Sequence, residues 1–507
     1  MVVPSAWSID RYVGSGGSFQ AAIDAAQPGD TITLQAGATF RGNFILREKS
    51  GTAWITIRSS AINLLPPAGA RVKPSDAIDM PKVVAPNTAP ALATAARAHN
   101  YRIIGVEFYT QPGIYNWTVV RLGAGNETSL DKFPYNLELD RVYIHGDAKV
   151  GGKRGVDLNS KSTTIKNSYI SDFKSTWQDT QAIAMWNGPG PYLIENNYLE
   201  ASGENLSIGG AVPSISGMIP SDVTIRRNHF YKPFAWRTTS PQYAGTPWMV
   251  KNLMEFKAGR RVRVEGNVFE NCWKHHQDGW AIIMPVSIEG GKARWNVIED
   301  IMFRANIIRN AGSGVNVSGY DTYANGGATR RVRFENNVFE NIDQTKFGGS
   351  GRLFILSNKA ESIVMDHNTS FQYGDIITMV GLTPLKGLAF TNNITRHNTY
   401  GILGGGQGSG TRAINYYAPG AVVTKNVMFE GYGGVTYPPG NIFLTSVGLV
   451  GFTDVAGKNY KLRSTSPYRG FGTDGKDLGA DINLVNSLTA GVVQGTAAGT
   501  APSIGAN

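Results

Sequence analysis

The chain has 507 residues, 61 of them glycine, and only 17% are charged. Short runs of Val, Ile, Phe and Tyr between many glycines are typical of an all-β protein with tight turns. No apolar run approaches the ~20 residues of a membrane helix, and a single cysteine, Cys272, excludes an intrachain disulfide. The excess of 48 Lys+Arg over 38 Asp+Glu gives a net charge of +10. That balance favours a polyanionic partner, and no nucleic-acid-binding motif is present to make that partner a nucleic acid.

Near the N-terminus, the segment Ser18–Ala26 has the apolar spacing of a short amphipathic helix. Gln27–Asp30 ends the helix, and Thr31–Leu34 begins the first strand. We predict that residues 16–30 cap the open end of a solenoid, because an uncovered sheet edge invites aggregation.

The rest of the chain repeats one phrase, in which an apolar residue and two mostly polar ones precede an Asn. Successive Asn residues lie between 25 and 39 positions apart: Asn197, Asn228, Asn267, Asn306, Asn337, Asn368, Asn393 and Asn426. A period in this range with strand-type patterning indicates a solenoid. We interpret these Asn residues as a structural ladder of side-chain amides between stacked coils.

Each repeat divides into three short strands, two within the phrase and one before it. The first strands are predicted at Gly155–Ser160, Ala182–Asn187, Leu206–Gly210, Leu253–Lys257, Ala281–Val286, Gly314–Ser318, Leu353–Asn358 and Ile376–Gly381. Three stacked parallel strands per turn make a parallel β-helix. We predict one such domain over residues 1–486 and a flexible, Gly/Ala/Thr-rich C-terminal tail over 487–507.

Two phrases carry a family resemblance. Ser18–Phe40 resembles the opening, and Tyr460–Ile482 the ending, of pectate-lyase-like right-handed parallel β-helix proteins. The resemblance implies a secreted carbohydrate-active protein, and the superfamily includes polysaccharide lyases, hydrolases, esterases and binding modules. The Arg-x-Pro-x-x-Arg signature of the main pectate lyases and the polygalacturonase motifs are absent. The nearest branch is loosely that of chondroitinase B and alginate lyases.

Surplus residues predict where a binding groove lies. The two longest intervals, Asn228 to Asn267 and Asn267 to Asn306, adjoin each other, and extra residues in a solenoid leave the stack as loops. The loops are Phe234–Val250 and Asn271–Gly279, and they bring aromatic and basic residues to the groove. We expect substrate contacts from Trp236, Trp248, Trp273, Lys251, His275 and His276, and a charge-neutralising role for Arg237.

Strand alternation predicts the catalytic residues. In Leu253–Lys257, Met254 and Phe256 should point inward, so Glu255 and Lys257 point outward together. The polar line continues through Asp157, Asp179, Glu204 and Asp278.

A lyase must abstract the C5 proton of a uronate, neutralise its carboxylate and protonate the leaving oxygen. Lys257 is the predicted base. The substrate carboxylate would be neutralised either by calcium bound to Glu204, Asn205 and Glu255 or by Arg237. We predict β-elimination of an acidic polysaccharide, although Glu255 beside Lys257 could work against a base. Paired carboxylates such as Glu204 with Glu255, or Glu255 with Asp278, leave a glycoside hydrolase open. A non-catalytic carbohydrate-binding module is the third alternative.

The predicted setting is extracellular. Met1–Pro4 reads as a start placed after a removed leader peptide, so we expect a secreted bacterial protein. We expect a monomer that binds neither nucleic acid nor membrane.

Overall fold

The structure, a computed structural model, describes residues 8–431 and 434–497. By their internal contacts these residues form two compact units. Unit 1 comprises residues 8–206, 213–223 and 494–497, and unit 2 comprises residues 207–212, 224–431 and 434–493. The single-domain boundary of the sequence analysis stays a prediction.

The strands of unit 1 are short. They are β1 (Asp10–Val13), β2 (Thr31–Leu34), β3 (Thr39–Arg41), β4 (Phe44–Leu46), β5 (Ile55–Ser59), β6 (Lys82–Ala85), β7 (Leu92–Thr94), β8 (His99–Ile104), β9 (Glu107–Thr110), β10 (Val120–Leu122), β11 (Tyr135–Asp140), β12 (Tyr143–His145), β13 (Arg154–Leu158), β14 (Lys161–Lys166), β15 (Tyr169–Phe173), β16 (Gln181–Met185), β17 (Tyr192–Glu195) and β18 (Tyr198–Ala201). The next two, β19 (Glu204–Ile208) and β20 (Ser221–Arg226), contain residues of both units.

Unit 2 continues the same pattern. Its strands are β21 (His229–Tyr231), β22 (Met254–Phe256), β23 (Gly259–Glu265), β24 (Val268–Cys272), β25 (Trp280–Pro285), β26 (Val297–Arg304), β27 (Ile307–Ala311), β28 (Ser313–Ser318), β29 (Ala328–Glu335), β30 (Val338–Ile342), β31 (Phe354–Ser357), β32 (Glu361–Asp366), β33 (Thr369–Gln372), β34 (Ile377–Val380), β35 (Ala389–Thr391), β36 (Ile394–Arg396), β37 (Ile402–Gly404), β38 (Gly408–Ser409), β39 (Val422–Thr424), β40 (Val427–Phe429), β41 (Ile442–Leu444), β42 (Phe452–Asp454) and β43 (Asn459–Leu462).

In each unit the described strands stack into three sheets, and β42 and β43 of unit 2 form a separate antiparallel pair. The first sheet of unit 1 has the order β4-β7-β10-β13-β16, and that of unit 2 has the order β22-β25-β28-β31-β34-β37-β38. The second sheets are β1-β2-β5-β8-β11-β14-β17 and β23-β26-β29-β32-β35-β39, and the third sheets are β3-β6-β9-β12-β15-β18 and β21-β24-β27-β30-β33-β36-β40-β41. Neighbouring strands within these sheets pair in parallel, except β37 with β38, which are antiparallel. The fold is therefore a parallel β-helix, as predicted. Its right-handedness stays a prediction, in line with the nearly universal hand of parallel crossovers.

The repeated Asn residues form the predicted ladder in unit 2. The backbone N–H and the side-chain amide of Asn306 both donate to Asn337 Oδ1, at 3.0 and 2.9 Å. Asn337 does the same to Asn368, and both side chains are fully buried. The residue before each ladder Asn takes a left-handed conformation, with φ between 51° and 63°, at Arg227, Gly266, Ala305, Asn336, His367, Asn392 and Lys425. The amides thus satisfy backbone groups that this bend turns into the coil.

The interior of the coils is apolar and stacked in the same way. Phe303 and Phe334 of adjacent coils lie with ring centroids 5.0 Å apart and nearly parallel, and both are buried. Cys272 is also buried, as the sequence predicted from its packing environment. Burial raises the pKa of its thiol to about 12, so it is a packing residue rather than a nucleophile.

In the part of the chain that the structure describes, four α-helices accompany the strands: α1 (Phe19–Ala25), α2 (Gln344–Phe347), α3 (Thr411–Tyr417) and α4 (Ile482–Thr489). The predicted helix near the N-terminus is therefore present, with Phe19 and Ile23 buried. Its role as a cap stays a prediction. No helix among the described residues is long and apolar enough to cross a membrane.

The predicted tail needs a correction. Residues 487–489 belong to α4, Val492 is fully buried, and the Gly495 carbonyl accepts a hydrogen bond from the Arg71 N–H at 2.7 Å. Packing therefore orders the chain from 487 to 497, because apolar side chains interrupt the Gly/Ala/Thr-rich sequence. Residues 498–507 lie outside the described residues.

Candidate active site

A groove of about 700 Å³ lies on the outer face of the first sheet in unit 2. We call it the central groove. Its floor is formed by outward side chains of β22, β25 and β28, where Glu255, Ile283 and Asn316 are aligned in register across the three strands. Loop residues 275–278, 286–290, 321 and 323 line it as well. Its volume is in the range of ligand-binding clefts.

Glu255 and Lys257 lie together in this groove, as the alternation predicted. Met254 and Phe256 point into the coil and are fully buried, so their neighbours face the groove. Lys257 Nζ lies 3.7 Å from Glu255 Oε1, and the side chains are 33% and 5% exposed. The carboxylate is thus nearly covered, whereas the ammonium group reaches into the open groove.

The loop leading into β25 supplies two imidazoles. His275 and His276 are exposed and line the groove, with ring centroids 4.7 Å apart. The Val250 N–H donates to His275 Nδ1 at 3.2 Å. Burial, and then the neighbouring His276, lower the pKa of His275. Because Nδ1 accepts this hydrogen bond, the neutral form of His275 carries its proton on Nε2.

Asp278, from the same loop, also lines the groove. It is exposed and forms an ion pair with Lys274 at 3.2 Å. An exposed pair of this kind contributes little to stability, so Asp278 remains accessible to a ligand.

The opposite wall contains residues that the sequence analysis missed. Asp321 is buried and accepts backbone N–H groups from Ile288 at 2.9 Å and Tyr323 at 3.0 Å. It thereby holds the loop in which Tyr323 is 100% exposed. Glu289 also lines the groove, and among the described residues its Oε1 atom is buried without a hydrogen-bond partner. These residues lie in the loops that follow β25 and β28, and no local sequence pattern distinguishes them from solvated loop residues.

Three tryptophans predicted to contact substrate are buried. Trp236, Trp248 and Trp273 are only 4–7% exposed. They pack with Val250 and Phe347 in one apolar cluster. The surplus loops fold on one another, so these tryptophans form the core of the loop region rather than a groove wall.

Two predicted basic residues are also absent from the lining. Arg237 donates to the Lys346 carbonyl and lies 5.3 Å over the Phe347 ring. Lys251 is half-buried, and its carbonyl accepts from the Cys272 thiol at 3.2 Å. Neither lines the central groove, so the predicted neutralising role of Arg237 is not supported there.

The remaining predicted residues belong to unit 1. Asp157 is 6% exposed and accepts from Thr118 Oγ1 at 2.8 Å, and burial raises the pKa of Asp157. Glu204 is fully buried and accepts from Gln181 Nε2 at 2.7 Å. Asn205 is fully buried too, and its amide donates to the Leu199 carbonyl at 2.6 Å. Asp179 is half-buried.

The predicted calcium site has no confirmation. The described residues contain no group of three or more His, Cys, Asp or Glu side chains that could hold a metal ion. Glu204 and Asn205 are buried, with oxygen and nitrogen atoms committed to neighbouring protein groups. Calcium therefore stays a prediction, and no step below depends on it.

Comparison with known proteins identifies the fold class and no more. No protein-family model matches the sequence, and no curated protein matches it. A mannuronic-acid-specific polysaccharide family 6 lyase from the human gut microbiota is similar over 87% of this chain and 92% of that chain, at 11% identity and a TM-score of 0.51. An alginate lyase from Paenibacillus sp. strain FPU-7 is similar over 82% of this chain and 99% of that chain, at 13% identity and a TM-score of 0.29. The catalytic unit of a GH87 α-1,3-glucanase from Streptomyces thermodiastaticus strain HF3-3 is similar over 86% of this chain and 70% of that chain, at 13% identity and a TM-score of 0.48. The chain therefore shares the parallel β-helix fold with these proteins.

Proposed function

We propose that the protein is a polysaccharide-degrading enzyme that cleaves an acidic, uronate-containing polysaccharide by β-elimination in the central groove. The observation that carries the proposal is the Lys257 ammonium group, held in the groove 3.7 Å from the buried Glu255 carboxylate, with two imidazoles in the same lining. The mannuronate-specific lyase with the same fold adds support.

In this proposal Lys257 binds the substrate carboxylate and stabilises its negative charge. A cation directed into a groove stabilises the negative charge that develops on a uronate when its C5 proton leaves. Because Lys257 forms an ion pair with Glu255 in the groove, we give it the role of a positive charge in place of the role of base that the sequence suggested.

The base in this proposal is His276. A neutral imidazole is the side chain that most readily accepts a proton near neutral pH, and His275 has its exposed nitrogen protonated already. His276 takes the C5 proton, the C–H electrons form the C4–C5 double bond, and the C4–O bond breaks. The imidazolium then returns the proton to the leaving oxygen, so the step balances without a co-reactant.

Variants of Lys257 distinguish the two roles. Lys257→Ala should lower the rate of unsaturated-product formation by about 10²–10³-fold. Lys257→Arg should retain a large part of the activity, since Arg keeps the charge but cannot act as a base. Activity of Lys257→Arg as low as that of Lys257→Ala would return Lys257 to the role of base. Lys292→Ala, an exposed lysine outside the groove lining, is the matched control. Full activity in Lys257→Ala would overturn the assignment.

A second candidate is a glycoside hydrolase, and the groove lining favours it on one point. Four carboxyl groups line the central groove, those of Glu255, Asp278, Glu289 and Asp321. Hydrolysis needs two carboxyl groups, one acid and one base or nucleophile. New reducing ends without ultraviolet absorbance of an unsaturated product would support hydrolysis. In the described structure Glu289 Oε1 has no hydrogen-bond partner. If Glu289→Gln no longer produced new reducing ends, the hydrolytic reaction would be assigned to this groove.

Three further proposals accompany the enzyme: secretion, a monomeric state, and a capping role for α1. The buried Phe19 and Ile23 of α1 are consistent with a cap. Sedimentation of the purified protein tests the monomer directly.

A further inference from the structure

Unit 1 carries an exposed aromatic cluster that the central groove does not use. Tyr115, Trp117 and Trp177 have ring centroids 5.6–6.2 Å apart. Trp117 is 48% exposed and Trp177 is 63% exposed. Their rings meet nearly at right angles, so together they form a bent platform. We call these three residues the aromatic platform.

The platform is held in place from below. Gln178 Nε2 donates to the Tyr115 hydroxyl at 2.8 Å. The backbone N–H of Trp177 donates to Oγ of the buried Ser175 at 3.2 Å. The buried Asn116 accepts from the Thr118 N–H at 2.7 Å. Both exposed rings therefore stand on loops fixed by buried polar contacts, which reduces the entropy lost when a ligand binds.

Packing does not account for this exposure. Trp236, Trp248 and Trp273 show that surplus loops in this chain can bury their tryptophans. Large aromatic surface left in water is costly, and a patch of it marks an interaction site. A flat ring edged by polar groups suits the C–H face of a sugar.

Cations surround the platform. Lys153 Nζ lies 5.1 Å over the Trp117 ring, and Lys153 immediately precedes β13 in the first sheet. Arg121 is exposed at the centre of β10, and Arg154 lies 4.9 Å over the Trp186 ring. Two carboxyl groups oppose them, Asp157 and Asp179. Asp157 is buried and forms an ion pair with Arg154 at 3.6 Å, so its carboxylate is directed at Arg154.

We propose that the aromatic platform and its cations bind an anionic polysaccharide chain. Sugar rings stack on Trp117 and Trp177, and uronate carboxylates pair with Lys153 and Arg121. The site is non-catalytic, and its existence does not depend on which reaction the central groove performs.

Retardation in native gels that contain polygalacturonate or alginate tests the proposal without any activity readout. The double variant Trp117→Ala/Trp177→Ala should bind roughly tenfold or more weakly than the parent protein, since exposed tryptophans at binding centres dominate affinity. Lys153→Gln should weaken binding less, and added salt should weaken it further in the parent. Lys292→Ala, which removes an exposed lysine outside both the platform and the central groove, should bind the polymer as well as the parent does.

Matched variants keep the outcome decisive. Tyr12→Ala removes another aromatic residue of unit 1 that is 62% exposed, and it should bind normally. Trp177→Phe retains a ring and should keep most of the affinity, which separates lost stacking from misfolding. Undiminished binding by the double variant would overturn the site. Equal retardation by a neutral polysaccharide, unaffected by salt, would overturn the anionic ligand.

Discussion

Glu200 in unit 1 is a buried carboxyl group whose protonation affects stability. It accepts from the Tyr198 hydroxyl at 2.7 Å and from the Asp172 N–H at 3.1 Å. Burial, and then the negative charge of Asp172, raise the pKa of Glu200 to about 7. In the unfolded chain a glutamate titrates near ~4.3. Between these two values the folded protein holds a proton that the unfolded chain has lost, so stability falls as pH rises through this window.

Replacing Glu200 with Gln should remove that dependence. At about pH 5 the free energy of unfolding of Glu200→Gln should be similar to that of the parent. At about pH 8 it should be higher than that of the parent by roughly 2–3 kcal/mol. Urea unfolding followed by circular dichroism at the two pH values measures the difference. Glu48→Gln, at an exposed glutamate, should have the same free energy of unfolding as the parent at both pH values. If Glu200→Gln differed from the parent by the same amount at both pH values, the raised pKa of Glu200 would be contradicted.

Cys272 offers a second measurement at the residue scale. Its thiol pKa is raised to about 12 by burial, and its sulfur donates to the Lys251 and Trp280 carbonyls at 3.2 and 3.3 Å. Thiol reagents attack the thiolate, so the native protein should resist iodoacetamide near about pH 8. Mass spectrometry should detect one alkyl group only after denaturation. Rapid labelling of the native protein would show that the coil around β24 opens.

At the scale of a strand and its neighbours, the Asn ladder links successive coils of unit 2 through buried hydrogen bonds. Asn337→Ala should lower the free energy of unfolding by roughly 2–5 kcal/mol, because two buried donors of Asn306 lose their acceptor. The Phe303 carbonyl loses a donor as well. The midpoint of urea unfolding measures the change, and Asn486→Ala, an exposed position on α4, is the control. Equal midpoints would show that the ladder only sets register.

The ladder also shows why the fold was predictable. The repeated Asn, its apolar neighbour and strand alternation are local features, and they placed Leu253–Lys257 within two residues of the observed Met254–Phe256. The same alternation correctly oriented Glu255 and Lys257. Burial of Trp273 was not predictable, because it depends on Phe347 from another loop. Trp117 and Trp177 were missed because they precede the first regular phrase, at Asn197.

At the scale of the whole molecule, contacts are mostly between neighbouring coils. The three sheets of unit 2 connect each strand with the coil before it and the coil after it. In such a solenoid, stability is close to a sum of coil and nearest-neighbour terms. A lesion in one coil should therefore weaken that region without weakening distant coils equally.

Hydrogen exchange in Asn337→Ala tests this locality. Asn337 lies between β29 and β30, and its partners Asn306 and Asn368 precede β27 and β33. Mass spectrometry should show faster exchange over β26–β33, because local opening there needs less free energy. Strands β2–β8 of unit 1 should exchange at the parent rate, and Asn486→Ala should match the parent throughout. A uniform rise over all the described strands would instead mean that the chain opens as one cooperative unit, with the ladder contributing to its global stability.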